Sequence, residues 1–506
     1  MTIARGRIWT LCAPLNLALL GFVLFFAGLR LARPGTVFYY TEGPVLGSLA
    51  ALEAGGLPDL YPSDGWVEPP VVLTLYPPTY FVGAAGLNRW IGSAGTFTGL
   101  RIVSVAALFG LLVLLGLHAR RRRAPPTWIL ALTAAALLTP GVYRLAGGAQ
   151  ADTLALLFTW VGVTAALGTT GDRVRSGALP VFAAATAFFF AIFTKQSFVA
   201  APAALFASLV LERRYGSASL FAVGLASATL LGVWLLDTAT TGGYVANTLG
   251  ALTGASGWAH LTTSLSNSRP LQWFPIAAAI LFVMRSRLGL GFPEIYLGGS
   301  VLLHTAAMLK TGSSVNYLLE PTFALLLLAA VRWVPGATSG ARETHDAPPP
   351  RTRALAMLFA IALGLTASAA ALREYPTMKA WASGAGSARM AEFEGYPLAD
   401  PLFFPAVLDR GGRPWLNDPF AFGAMEETGH WDPARLVSDL EGRRIPFALS
   451  VVDIGPSPAP PGVGTRDLVL AYFWRSRPVW TALTGSYEAT VSGPMTVWLP
   501  REEPQS

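Results

Sequence analysis

Eleven apolar runs constrain this chain more than any other feature. A transmembrane helix needs about 20 mostly apolar residues. The runs are 8–29, 98–117, 128–143, 151–170, 178–194, 198–211, 218–237, 270–284, 290–309, 317–334 and 354–372. Composition agrees: 53% of the residues are hydrophobic and 13% charged, where a soluble domain carries about 25% charged residues. A mean hydropathy of +0.49 excludes a soluble enzyme, a disordered chain and a nucleic-acid-binding module. The net charge of +7 is therefore assigned to membrane loops, with no nucleic acid among the partners. The single cysteine, Cys12, forbids an internal disulfide, a Cys-based zinc site or an iron–sulfur cluster.

Charge bias tests the count of spans. Eleven spans put 1–7, 118–127, 171–177, 212–217, 285–289 and 332–353 on one side, and these hold 16 Lys+Arg against 4 Asp+Glu. The loop 30–97 on the other side holds 3 basic and 5 acidic residues. The positive-inside rule then sets the N-terminus in the cytoplasm and the C-terminus outside. The apolar stretch 71–91 contains Pro77, Pro78, Asn88 and Arg89. Counting it as a span would turn Arg120–Arg123 outward, so it reads as an interfacial helix on the outer surface. The first run is too long for a signal-peptide core and reads as an uncleaved helix. No P-loop or GxGxxG pattern occurs, and the inside segments leave no room for a nucleotide-binding domain.

The expected fold class is an α-helical polytopic membrane protein with a small α/β domain at the outer C-terminus. The membrane domain spans 1–372 and the outer domain 373–506, the latter with 12 basic and 16 acidic residues. Within it, 431–445 has helical periodicity, 447–454 reads as a buried strand, and the terminal β-rich piece ends in MTVWLP.

Ionisable residues in a membrane are costly and mark function, so their depth matters. Under this topology Glu42, Arg144, Asp152, Lys195, Lys310 and Glu320 all fall at outer ends of spans. A transporter would bury such groups near the midplane. Lys195 breaks the 34-residue apolar stretch Ala178–Leu211 at a hairpin, where an ammonium suits a lipid phosphate; a snorkelling anchor is the alternative. Glu42, in YYTEGP (39–44), is placed to take a proton from an attacking hydroxyl, or is a solvated loop acid. Asp152 opens span 4, where an acid also serves the helix dipole. For Arg101, phosphate contact and snorkelling are both open.

The order of these pieces resembles the GT-C superfamily of polyprenyl-phosphate-sugar-dependent glycosyltransferases. In particular it is similar to bacterial relatives of the protein O-mannosyltransferases and lipid A aminoarabinose transferases. The matching segments are YYTEGPVLGSLAALEAGG (39–56), LYPPTYFVGA (75–84), GGAQADTLALLF (147–158), FTKQSF (193–198) and GSSVNYLLEP (312–321). The strings RPWLNDPFAF (413–422) and GHWDP (429–433) are similar to the outer C-terminal region of some members. The resemblance implies a GT-C-like fold with about 11 membrane helices. It also implies a polyprenyl-phosphate sugar as donor and inverting attack by an acceptor hydroxyl of a glycan, lipid or protein. Glu42 matches the second residue of the family's Asp-Glu pair, with Thr41 in the Asp position, so either Glu42 or Asp152 is the implied base. Lys195 and Gln196 match the lipid-phosphate contact; Asn316, Tyr317 and Glu320 match the donor loop, and Tyr76 lies in the interfacial segment. Pro77-Pro78 replaces an expected lysine, and Lys310 or Arg144 is the candidate substitute. The same resemblance implies no cofactor and no metal.

A flippase for lipid-linked glycans, a polymerase or ligase, and a non-catalytic binder are the rival readings. Outer-end charges and the early TEGP loop favour the transferase, while Thr41 keeps the binder open.

Overall fold

The computed structural model describes scattered positions between 21 and 33, then 42–64, 66–138, 148–167, 174 and 177–250. Beyond these it describes 291–309, 315–332, 396–399, 404–408, 412–418, 421–422, 425–426, 429–450, 476–492 and 495–502. The helices are α1 (Glu42–Gly55), α2 (Leu57–Leu60), α3 (Thr79–Ile91), α4 (Thr98–Arg121) and α5 (Pro126–Leu138). Next come α6 (Asp152–Ala166), α7 (Ala178–Ile192), α8 (Ala200–Leu211), α9 (Tyr215–Ala239) and α10 (Gly243–Thr248). Then follow α11 (Phe292–Ala307), α12 (Leu319–Arg332), α13 (Phe404–Leu408), α14 (Ala434–Glu441) and α15 (Arg477–Ser486). The strands are β1 (Leu398–Ala399), β2 (Ala448–Ser450), β3 (Tyr487–Ser492) and β4 (Met495–Pro500). Eight of the apolar runs carry helices α4–α9, α11 and α12, whereas 8–29 in large part, 270–284 and 354–372 lie outside the described residues.

Helices α4 and α9, of 24 and 25 residues, are long and apolar enough to cross a membrane. At 1.5 Å per residue each reaches about 36 Å, more than a hydrocarbon core of about 30 Å. On α9, Val223, Leu230, Leu231, Trp234 and Leu235 are all exposed. A water-soluble chain does not leave such a stripe uncovered, and lipid accounts for it.

Contacts divide the chain into two units. The first comprises 1–31, 102–232 and 257–373. Its core is a helix-on-helix contact of Leu111, Leu156, Trp160, Phe188, Leu205, Tyr296, Phe323 and Leu327. Helices α6 and α7 come close because position 162 is glycine: a Cβ there would sit 2.7 Å from the Phe188 ring. Helices α11 and α12 are tied at both ends, His304 to Glu320 and Glu294 to Arg332. This pairing of opposite termini makes them antiparallel neighbours.

The second unit comprises 32–101, 233–256 and 374–506. It holds a four-stranded sheet in the order β1-β2-β4-β3, with β1–β2 parallel and the other pairs antiparallel. Side chains Trp415, Phe422, Trp431, Leu440, Ala448, Leu483 and Trp498 form its core with Val71 and Leu73. Here 71–91 differs from the expected single helix. Residues 71–75 are irregular, Val71 bridges in parallel with Leu416, and helix begins only at Thr79. Pro77 and Pro78 lack the backbone N–H, and each pushes the residue before it toward extended geometry. Helix α3 buries Tyr80, Phe81, Ala84 and Asn88, and exposes Val82, Arg89, Trp90 and Ile91. The expected helix 431–445 is likewise shorter, from Ala434 to Glu441, after Pro433. Arg443 beyond it has a φ of 54°, outside helical geometry.

Asn417 fixes the loop to the sheet-bearing segment. Its Nδ2 donates to Leu73 O and Ser48 Oγ, and its Oδ1 accepts from Leu73 N at 2.8 Å. Asn247 plays a similar part, accepting from Thr74 N and Trp66 Nε1. Burial pushes the Tyr61 hydroxyl well above the ordinary tyrosine range, aided by the nearby Tyr244. Burial also pushes Tyr244 up to about 12, against a hydrogen bond with Thr248. Both phenols therefore stay protonated, and Tyr61 donates to Tyr76 O at 2.7 Å.

Candidate functional site

In the first unit the sequence-predicted polar residues converge. Asp152 is the first residue of α6, so its carboxylate lies at the positive end of the helix dipole. It does not cap by side chain, since Ala151 is the N-cap and no side-chain cap bond forms. Instead Lys195, in the turn between α7 and α8, donates to Asp152 Oδ1 at 2.6 Å. The two side chains are only 6% and 1% exposed. Their separation by 43 positions means that tertiary packing alone creates the pair. The Lys195 ammonium also stands 5.6 Å above the Tyr317 ring, within the range of a cation–π contact. Asp152 Oδ2 and Thr153 Oγ1 are buried and have no hydrogen-bond partner among the described residues.

Tyr317 links this pair to a second group. It lies on the 3₁₀ turn Val315–Leu318, and its ring centroid is 5.9 Å from that of His304. The His304 Nε2 contacts Glu320 Oε2 at 2.6 Å, and the Tyr296 hydroxyl donates to Glu320 Oε1 at 3.1 Å. Glu320 is the second residue of α12 and fully buried. The structure thus brings together Asp152, Lys195, Tyr317 and Glu320 in one polar chain inside an apolar bundle. Gln196 directly follows Lys195, and Asn316 directly precedes Tyr317.

His304 and Tyr296 escaped the sequence reading. The available signal was a histidine inside the apolar run 290–309, an ionisable group of the kind that membrane burial makes costly. Tyr296 gave no signal, because an aromatic in such a run is ordinary core. Arg144 and Lys310 lie outside the described residues.

In the second unit, Glu42 is the first residue of α1 and accepts from Arg101 Nη2 at 3.2 Å. Both side chains are 0% exposed. Arg101 also donates from Nη1 to Arg33 O, and its guanidinium stacks 4.5 Å from the Phe97 centroid. Of the two readings open for Arg101, snorkelling gives way to a buried ion pair with Glu42. Tyr76 supplies its carbonyl to Tyr61. Among the described residues, no three His, Cys, Asp or Glu side chains gather as a metal site.

No protein-family profile matches the sequence, and no curated protein matches it. Two solved structures do match by fold. One is ArnT from Cupriavidus metallidurans bound to undecaprenyl phosphate, at TM-score 0.57 and 15% identity, covering 95% of this chain and 97% of that one. The other is the same protein in the apo state, at TM-score 0.58 and 14% identity, with 98% of each chain covered. ArnT is a lipid A aminoarabinose transferase with a GT-C fold. Over nearly its whole length, then, this chain shares the fold of ArnT, in line with the fold to which the order of its motifs pointed.

Proposed function

We propose that this protein is an inverting glycosyltransferase that uses a polyprenyl-phosphate-linked sugar at the outer face of the cytoplasmic membrane. The observation that carries the reading is the buried Asp152–Lys195 pair beside Tyr317, set in a fold shared with a structure that holds undecaprenyl phosphate. A buried pair of this kind is a weak source of stability, and a buried titratable pair marks a candidate functional site. Lys195 contacts the lipid phosphate and stabilises the charge on the departing group. Gln196, Asn316, Tyr317 and Glu320 complete that side of the donor site, with Arg144 and Lys310 as further donor contacts.

In the reaction the acceptor oxygen attacks the anomeric carbon from the face opposite the phosphate. The carbon–oxygen bond to phosphate breaks, its electron pair leaves with the polyprenyl phosphate, and the acceptor proton passes to a carboxylate. Asp152 is one candidate base, its Oδ2 buried with no partner among the described residues. Glu42 is the second candidate, held by Arg101 at a helix start. The site is proposed to work without metal or cofactor. The N-terminus is assigned to the cytoplasm and the region after 373 to the outside, where it selects a glycan, lipid or protein acceptor.

The test is sugar release from radiolabelled undecaprenyl-phosphate sugars in proteoliposomes, with wild type, Glu42→Gln, Asp152→Asn and Lys195→Ala. Release by wild type and loss in one carboxylate variant supports the transferase and names the base. Equal lipid binding by all four proteins with no turnover on any acceptor sinks it in favour of a binder or flippase.

A further inference from the structure

The Asp152–Lys195 pair does not use His304, yet this imidazole is held by a buried carboxylate inside the bundle. Its Nε2 is 2.6 Å from Glu320 Oε2, and Glu320's other oxygen is already occupied by the Tyr296 hydroxyl. A carboxylate accepting at both oxygens requires an N–H at Nε2, so the tautomer is set from outside the ring. Phe198 meets the imidazole edge-to-face at 6.3 Å and Tyr317 flanks it at 5.9 Å. The side chain is 4% exposed. The remaining nitrogen, Nδ1, is buried and has no hydrogen-bond partner among the described residues. A buried polar atom without a partner is costly, and native structures reserve that for a reason.

We propose that His304 Nδ1 binds a hydroxyl of the donor sugar, with Glu320 and Tyr296 as positioning residues that fix its tautomer. Neutral imidazole offers a lone pair at Nδ1 and imidazolium offers N–H. A hydroxyl satisfies either state, whereas a phosphate oxyanion satisfies only the second. Lys195, which neighbours the same Tyr317 ring, already supplies the cation that a phosphate needs. The array Lys195–Tyr317–His304 therefore separates a phosphate contact from a sugar contact, and His304 determines which sugars are accepted. This inference rests on the transferase reading.

The experiment compares wild type, His304→Gln and His304→Asn in proteoliposomes. The probes are an undecaprenyl-phosphate sugar that wild type turns over, its single-deoxy analogues, and undecaprenyl phosphate alone. A glutamine amide takes the place of Nε2 and keeps the Glu320 contact, whereas an asparagine amide takes the place of Nδ1. The expected result is a rise in donor KM of about tenfold or more for His304→Gln, as one lost buried hydrogen bond implies. Affinity for undecaprenyl phosphate alone should stay within twofold. His304→Asn should recover part of the loss, and one deoxy analogue should be handled equally by wild type and His304→Gln. Unchanged KM in His304→Gln with an active wild type would overturn the sugar contact and leave the transferase standing. Parallel losses for sugar-bearing and sugar-free lipid would reduce His304 to a packing residue. If wild type neither binds nor cleaves any of the lipids, the transferase reading falls and the inference with it.

Discussion

Lys195 and Asp152 meet at 2.6 Å inside the bundle, where both side chains are almost dry. At that burial neither charge has water to replace its partner. Lys195→Met is expected to lower unfolding stability by about 3–5 kcal/mol, because it strands the carboxylate. Adding Asp152→Asn should restore a large part of that loss. Thermal unfolding of the single and double variants in one detergent checks this, and additive losses would show that the pair is not coupled.

The Glu42–Arg101 pair separates a structural part from a chemical one. Arg101→Met should destabilise by about 3–5 kcal/mol, since both groups are fully buried. If Glu42 is the base, Glu42→Gln abolishes turnover at temperatures well below its own unfolding transition. Activity that merely tracks the fraction folded would assign Glu42 to the scaffold and leave Asp152 as the base.

Asn417 joins two stretches more than 340 positions apart through paired bonds to Leu73 and a third to Ser48. Leucine at 417 keeps the branching of the side chain, at a larger volume, but leaves the N–H and C=O of Leu73 without these partners. A loss of about 2–4 kcal/mol is expected, at about 1–2 kcal/mol per buried group. Limited proteolysis should show earlier cleavage in 62–78 for this variant. An unaltered digestion pattern would argue that the Val71–Leu416 bridge and the Asn247 bonds hold the loop without Asn417.

Asp439 makes the stability of the second unit sensitive to acid. Burial pushes its carboxyl up, but hydrogen bonds from Arg444, Arg435 and Trp415 outweigh this and hold it below the usual carboxylate range. A group with a depressed folded pKa stabilises fully above its unfolded value, about 3.9 for aspartate. That contribution is lost as pH falls from there through the folded value. Unfolding followed by tryptophan fluorescence between pH 7 and pH 2.5 should show an acid limb that is shallower in Asp439→Asn. Identical limbs would mean that other carboxylates govern the acid response.

The apolar runs, the charge bias and the order of the motifs were legible in the sequence because each is local. A 20-residue apolar stretch has few ways to satisfy its backbone other than as a helix in lipid, and basic residues near span ends are read from composition alone. Pro77 and Pro78 were also visible, and their effect on where α3 begins follows from ring geometry; the amphipathic pattern around them hid it. Asp152, Lys195, Tyr317 and Glu320 could be named singly, since charges and polar turns stand out against apolar surroundings. Which of them touch was decided by tertiary structure. Asp152 meets Lys195 only because α6 packs on α7, and Gly162 permits that approach. His304 is a lone histidine until the pairing of α11 with α12 sets Glu320 beside it. Periodicity reports which elements form, but the partner of a buried charge depends on how their faces meet across many intervening residues.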